Sequence, residues 1–269
     1  MNNYNAILCH AIEMARLAGE IQLRLFRSKE LNIATKQNDF DVVTTADKAS
    51  ERAIVDFINN VYPDHSILTE ESGLSLHGNN DWEWVIDPLD GTTNYSSGLP
   101  WFNVSIGIKH HGETVAGVVY APRLGELFTA VKGGGAMLNG QPIAPSETPT
   151  LTKAVVATGF PYDKAVNPDN NLDNFKRIMP VVRGLRRLGS AALDICYVAA
   201  GFLDAYWEMN LNEWDVCAAM LIAHEAGAWA ERFRPDRNWS ILASNPALAS
   251  ALLQKLNPQQ QSKEISAPL

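Results

Sequence analysis

The sequence predicts an α+β protein: helices over an antiparallel meander in its first half, and alternating strands and helices in its second. Three observations carry this. Apolar residues recur at helical spacing over residues 5–26 and again beyond residue 44. Three strand-like runs between Pro100 and Val131 are joined by very short connections. From Ala154 onwards, strand-like and helical stretches take turns.

At 269 residues, 46% hydrophobic and 19% charged, the chain can build one large domain or two closely packed lobes. Lys and Arg number 22 against 30 acidic residues, a formal charge of −8, and no basic run stands out beyond residues 183–187. That balance argues against nucleic acid as the main partner. A small anionic ligand stays open, because carboxylates can recruit cations that reverse the local field. Cys9, Cys196 and Cys217 are far apart in apolar helical patterns and are expected to be reduced and buried. No signal-peptide pattern opens the sequence and no apolar run suits a membrane, so a cytoplasmic location without membrane partners is expected.

In chain order, Ile7, Leu8, Ala11, Ala15, Ala18, Ile21, Gln22 and Leu25 form the stripe of an amphipathic helix. Thr44 or Thr45 can cap a second helix, with its stripe at Ala53, Ile54, Phe57, Ile58 and Val61. Asp47 then occupies a first turn, where the helix dipole favours a carboxylate. Ser66–Thr69 reads as a short strand running into Glu70-Glu71, whose mutual repulsion needs a cation or good solvation. Residues 82–86 read as a strand ending at Asp87-Pro88-Leu89-Asp90-Gly91-Thr92-Thr93-Asn94. Pro88 keeps Asp87 extended, and Gly91 permits a tight turn that frees backbone N–H groups for an anion. Taken alone, the stretch reads equally well as a polar turn.

Runs at 102–109, 115–120 and 126–130 predict the meander, and Asn139-Gly140 a hairpin turn. His110-His111 falls in a turn, and Gly133-Gly134-Gly135 lacks the following helix of a nucleotide loop. The polar stretch 146–152 predicts a boundary between an N-terminal lobe, 1–145, and a C-terminal lobe, 146–256. Beyond it come a strand at 154–158, a helix at 171–182, and a helix at 191–200 with Ser190 as N-cap and Gly201 closing it. A strand at 202–208 and a helix from Glu213 to Gly227 follow, and the Gln-rich residues 257–269 are expected to form a disordered tail.

Asp47, Glu70, Asp87, Asp90 and Asp215 stand at the ends of elements. Hard oxygen donors without His or Cys suit Mg²⁺ or Mn²⁺, and an adjacent Gly-Thr anion cradle suggests metal-assisted hydrolysis of a phosphate ester. Such esters hydrolyse very slowly unaided, so the help must be electrostatic and positional. Cations about 4 Å apart could stabilise both the attacking water and the leaving oxygen. A nucleophile elbow is absent, because Leu188-Gly189-Ser190-Ala191-Ala192 lacks its second glycine.

The runs at 42–47, 69–72, 84–95 and 214–219 closely resemble, in order and spacing, the inositol monophosphatase family of lithium-sensitive, Mg²⁺-dependent phosphatases. The likeness extends from the first helix to about Leu256. It implies an αβαβα layered sandwich of the inositol monophosphatase / fructose-1,6-bisphosphatase type, a homodimer, and a site between the lobes. By the same resemblance, Glu70, Asp87 and the Leu89 carbonyl would hold one metal, and Asp87, Asp90 and Asp215 a second, with Glu70 at a weaker third. Glu70, Asp47 and Thr92 would be catalytic, the last two as a proton-handling pair. The Gly91 and Thr92 amides would receive the phosphate; Gly189, Ser190, Ala191 and Glu208 would line the polyol, and the metal ligands Asp90 and Asp215 would also be substrate-binding.

Two or three Mg²⁺ ions are implied, with Mn²⁺ as a substitute, acting on a small phosphorylated polyol, inositol 1-phosphate foremost. The residues themselves add that a threonine hydroxyl can both donate and accept, and that first-turn positions should favour ionised Asp47 and Asp215. Asn212 stands where some polyol-specific members carry histidine, which leaves the preferred sugar or inositol phosphate open. Gly91-Thr92-Thr93-Asn94 looks like the inositol type rather than the Gly-Thr-Lys of nucleotidase-like or histidinol-phosphatase-like members. The alternatives are a 3′(2′),5′-bisphosphate nucleotidase, a histidinol-phosphate or sugar (bis)phosphate phosphatase, and a non-catalytic regulatory protein on the same fold.

Overall fold

The computed structural model describes residues 4–35, 42–78 and 81–256. Helix α1 (Asn5–Leu25) buries Ile7, Ala11, Met14, Ala15 and Ala18 along one stripe. β1 (Ile33–Thr35) and β2 (Val42–Thr44) pair antiparallel. Of the two candidate caps, Thr44 starts α2 (Thr45–Val61): its hydroxyl accepts from the Ala46 N–H, and Asp47 accepts from the Thr44 N–H in return.

One eight-stranded sheet follows. It comprises β3 (Ser66–Thr69), β4 (Gly73–Ser75), β5 (Trp82–Asp90), β6 (Asn103–His110) and β7 (Glu113–Ala121). It is completed by β8 (Glu126–Val131), β9 (Ala136–Leu138) and β10 (Gln141–Pro142), with the short helix α3 (Thr92–Ser96) between β5 and β6. In the order β10-β9-β8-β7-β6-β5-β3-β4, strands β6 to β8 are the expected meander, β5 extends it antiparallel to β6, and β3 lies parallel to β5. At the β9–β10 turn, Asn139 and Gly140 have φ of 50° and 76°, as a type I′ hairpin requires.

The second sheet has the order β12-β11-β13-β15-β14. Its strands are β11 (Val155–Thr158), β12 (Gly184–Arg186), β13 (Ala205–Leu211), β14 (Trp229–Arg234) and β15 (Trp239–Ser244). Its helices are α4 (Leu172–Ile178), α5 (Ala191–Ala199), α6 (Glu213–Ala226) and α7 (Pro246–Leu256). β11 runs parallel to both neighbours, and β15 antiparallel to both of its own.

Strand alternation sorts side chains into three main cores, and so into five layers. On β7, Val118 faces α1 and α2 while Val119 faces the opposite way, into the core of α5 and α6. On β13, Tyr206 joins that same central core and Trp207 packs with α4 and α7 beyond. The result is the αβαβα sandwich that the resemblance implies. Among the described residues, no helix is long and apolar enough to cross a membrane.

Four details depart from expectation. β5 continues through Asp87 to Asp90, its register slipping between those two residues, because Pro88 has no N–H for the ladder. β13 starts at Ala205 rather than 202, because the Phe202 and Leu203 N–H groups fold back onto the Tyr197 carbonyl at the end of α5. The helix predicted over 171–182 stops at Ile178 and tightens into a 3₁₀ turn through Pro180. Cys196 and Cys217 are buried, but Cys9 is exposed: it falls off the stripe marked by Ile7 and Ala11. Residues 36–41 and the predicted tail, 257–269, lie outside the described residues.

Helix α6 rests directly on the first sheet. A Cβ at Gly117 would lie 2.8 Å from the Ala218 carbonyl oxygen, and one at Gly107 2.5 Å from Cys217 Sγ. Gly117→Ala should therefore cost about 1–3 kcal/mol in urea unfolding. A variant as stable as the parent would contradict this packing.

Candidate active site

The ends of both sheets face a narrow cleft of about 100 Å³. From the first sheet it takes Glu70 after β3, Asp87, Leu89 and Asp90 at the end of β5, and Gly91 and Thr92 in the turn that follows. From the second side come Gly189, Ser190 and Ala191 at the start of α5, Glu208 on β13, and Asp215 in the first turn of α6. All the sequence-predicted site residues except Asp47 line this cleft. Asp47 stands behind it: its Oδ1 accepts from the Thr92 hydroxyl at 2.9 Å.

Local bonding sets each group. The Glu70 N–H donates to the Ile86 carbonyl at 3.2 Å, so the residue after β3 is fixed beside β5. Asp87, 2% exposed, accepts from the Leu89 N–H at 2.9 Å across Pro88. Asp90 Oδ2 is saturated by the Ser190 hydroxyl (2.6 Å), the Ala192 N–H (2.9 Å) and Asn103 Nδ2 (3.1 Å). One carboxylate oxygen thus joins β5, β6 and α5. Gly91 has φ of 93°, and a Cβ there would lie 2.8 Å from the Trp101 carbonyl oxygen, so the turn needs glycine. The Thr92 hydroxyl also lies 3.0 Å from the Leu89 carbonyl, and its single proton can serve only one of its two acceptors.

The electrostatics are dominated by desolvation. Burial, followed by the charges of Glu70, Asp90 and Asp215, pushes the Asp87 carboxyl well above the usual carboxylate range. Burial also raises Asp90 against its hydrogen bonds from Ser190 and Asn103. Asp47 and Asp215 are raised too, by the surrounding protein first, which corrects the expectation that first-turn positions favour their ionised forms. About half a unit charge at a helix end is outweighed by removing a carboxylate from water. Glu208, which accepts from the Tyr206 hydroxyl, is pushed by burial up to about 7.

Among the described residues, no lysine or arginine forms an ion pair with Asp87, Asp90 or Asp215. Converging carboxylates without a basic partner make an all-oxygen donor set that fits a hard divalent cation. No three His, Cys, Asp or Glu side chains among the described residues close into a cage by themselves. Mg²⁺ is commonly bound through only one or two carboxylates, with waters and substrate phosphate filling its other positions.

Several lining residues were not legible in the sequence: Phe160, Pro161 and Tyr162 from an irregular loop, Arg187, and Met209 to Leu211 on β13. Asn94, quoted only as part of a motif, donates through Nδ2 to the Trp101 and Leu188 carbonyls at 2.9 and 2.8 Å. It ties the turn after β5 to the loop before α5. Asp194, 1% exposed, accepts from Trp101 Nε1 at 3.3 Å, one helical turn beyond Ser190.

Comparison with known proteins places this arrangement. The model of the inositol monophosphatase family matches residues 3–264. A curated protein from Pasteurella multocida (strain Pm70), named Nus factor SuhB, is 40% identical over 258 residues, covering 94% of this chain and 97% of that one. The solved inositol monophosphatase of Anabaena (Nostoc) sp. PCC 7120 superposes with a TM-score of 0.85 at 38% identity, covering 96% of this chain and 97% of that chain. Extragenic suppressor protein suhB from Bartonella henselae gives a TM-score of 0.87 at 34% identity, covering 94% and 99%. The charge-based argument against nucleic acid finds no support in relatives so named.

The raised carboxyls fix the sign of a pH effect. A carboxyl with a folded pKa above its unfolded value binds more protons when folded, so stability falls as pH rises between the two values. For Glu208 that window runs from 4.5 to about 7. Without divalent cations, the melting temperature should fall as pH rises from about 5 to about 7.5, and added Mg²⁺ should restore more of it at the higher pH. Thermal unfolding across that range checks both signs.

Proposed function

The chain belongs to the inositol monophosphatase family, and we propose that it is a divalent-cation-dependent phosphatase acting on a small polyol phosphate monoester, inositol 1-phosphate foremost. The observation that carries this reading is the gathering of Glu70, Asp87, Asp90 and Asp215 around one cleft beside the Thr92–Asp47 pair. The Gly91-Thr92-Thr93-Asn94 turn supports the substrate class, as does the relative described as an inositol monophosphatase.

In this reading Glu70, Asp87 and the Leu89 carbonyl hold one Mg²⁺, and Asp87, Asp90 and Asp215 another, with Mn²⁺ able to substitute. Bound there, the cations supply the charge neutralisation that phosphoryl transfer requires. Asp90 has Oδ2 engaged with Ser190, Ala192 and Asn103, so Oδ1 would be the oxygen offered to a cation. The free first-turn amides at Gly91 and Thr92 receive the phosphate.

Thr92 takes a proton from the attacking water as it passes its own to Asp47. Burial raises the Asp47 carboxyl above the usual carboxylate range, which makes it a stronger base toward the Thr92 proton. Water attacks phosphorus, the bond to the alcohol oxygen breaks, that oxygen takes a proton from solvent as Asp47 later returns its own to solvent, and inorganic phosphate and the polyol leave. Gly189, Ser190, Ala191 and Glu208 orient the polyol, Glu208 accepting from its hydroxyls when ionised. A division into lobes at 1–145 and 146–256, with the cleft between them, and a homodimeric assembly belong to the same reading.

The second reading is a non-catalytic factor on this fold, favoured by the Nus factor name of a relative 40% identical. Asp90→Asn separates the two: a gene deletion whose effects this variant rescues as well as the parent does would favour the second.

Phosphate release from inositol 1-phosphate should require Mg²⁺ and be inhibited by Li⁺. Asp90→Asn and Thr92→Ala should each lower kcat by about 10²-fold or more, with little change in melting temperature. A parent protein inactive on inositol, sugar, histidinol and phosphoadenosine phosphates with Mg²⁺ or Mn²⁺ would overturn the phosphatase reading.

A further inference from the structure

Between β11 and α4 the chain runs through residues 159–171 without strand or helix, yet this loop supplies Phe160, Pro161 and Tyr162 to one wall of the cleft. Its first residue sits on the polyol-facing carboxylate: a Cβ at Gly159 would lie 1.9 Å from Glu208 Oε2. The start of the loop is held from within by Asn171, whose Nδ2 donates to the Gly159 carbonyl at 2.6 Å, and its middle from outside, where the β14–β15 hairpin contributes two arginines. Arg237 Nη2 donates to both carboxylate oxygens of Asp163, at 2.9 and 3.1 Å. Arg234 pairs with Asp169 through Nη1 at 3.0 Å and Nη2 at 2.9 Å.

Arg237 differs from an ordinary surface cation. Its side chain is only 11% exposed, and Nε and Nη1 are buried without a hydrogen-bond partner. A guanidinium kept out of water at that cost is anchored by its two bonds to Asp163, so the pair couples its two segments more firmly than an exposed ion pair would. The same hairpin also reaches the rim of the site. The Ser240 hydroxyl donates to the Arg237 carbonyl and accepts from the Asn210 N–H, while Asn238 Nδ2 donates to Asn212 Oδ1. The Asn212 N–H in turn donates to Asp215 Oδ2 at 2.6 Å. One tight turn therefore references the loop wall to the residues that flank Asp215.

We propose that the Asp163–Arg237 ion pair, backed by Asp169–Arg234, is a specificity latch: it positions the Phe160–Tyr162 wall against Glu208 and so sets how well the cleft grips the alcohol half of the substrate. This rests on the phosphatase reading above. Asp163 and Arg237 are positioning residues, since neither lines the cleft. In the phosphatase reading the phosphate is received at Gly91 and Thr92, which this loop does not supply. The side-chain bonds between Asp163 and Arg237 are separate from the Ser240 and Asn238 bonds that flank Asp215, so loss of the latch is expected to fall on alcohol binding.

The test compares two monoesters with Mg²⁺ present. Inositol 1-phosphate has a ring that reaches Glu208 and the wall; glycerol 2-phosphate has an alcohol too short to do so. Asp163→Asn and Arg237→Gln should raise KM for inositol 1-phosphate about tenfold with kcat within about twofold, and leave both constants for glycerol 2-phosphate unchanged. Arg237→Lys, which keeps a charge opposite Asp163, should recover part of the loss. If Arg237→Gln does not fold, Asp163→Asn on the exposed side of the pair carries the same comparison. Equal losses on both substrates, a fall in kcat, or no change would overturn the latch. Hydrogen exchange over 159–171 should quicken in both variants while α2 is unchanged. This readout tests the latch even if the parent hydrolyses neither ester, an outcome that would overturn the phosphatase reading alone.

Discussion

The whole site depends on carboxylates brought together out of water, with no lysine or arginine among the described residues paired to Asp87, Asp90 or Asp215. Asp87 feels Glu70, Asp90 and Asp215 at once, and in a low-dielectric cleft such repulsion grows as neighbours close in. Isolated peptides would never hold this arrangement. The sandwich imposes it, because β3 and β5 are locked in one sheet and the helices carrying Ser190 and Asp215 are packed on that sheet's face. Stability spent on gathering like charges becomes affinity for a cation.

Asp90 shows how the constraint is spread. A single oxygen takes bonds from Ser190, Ala192 and Asn103, so pulling α5 away from β5 would strand a carboxylate and several donors together. Asn94 repeats the device beside it with two backbone carbonyls. The cleft is thus bounded by groups whose hydrogen bonds already cross between the layers. Its far wall is the exception, being a loop without regular structure that Asn171 ties at one end and two ion pairs tie to the neighbouring hairpin.

Much of this was legible locally. The strand before Asp87, the turn at Gly91 and the cap at Thr44 follow from short-range chemistry that any few residues carry with them. The meander was legible because its connections are too short for other geometries. Illegible were features that exist only between distant residues: Ser190 meeting Asp90 a hundred positions away, or Asp163 meeting Arg237. Burial was misjudged in both directions. Cys9 sits on a face that the stripe leaves outward, whereas Asp47 and Asp215 lie in protein that overrides the dipole their positions advertise. Helical phase reports which side a residue takes, but not how much neighbouring layers later cover.

The seat of α6 on the bare backbone of β6 and β7 at Gly107 and Gly117 has an evolutionary side. Most helix–sheet contacts are cushions of side chains, and cushions change thickness as sequences drift, moving whatever the helix carries. Here sheet backbone meets the helix closely, against the Ala218 main chain at Gly117 and the small Cys217 side chain at Gly107. The surrounding core is free to exchange one aliphatic residue for another without carrying Asp215 along. A chain that keeps those two glycines can wander far in composition while its charged cluster stays where it was.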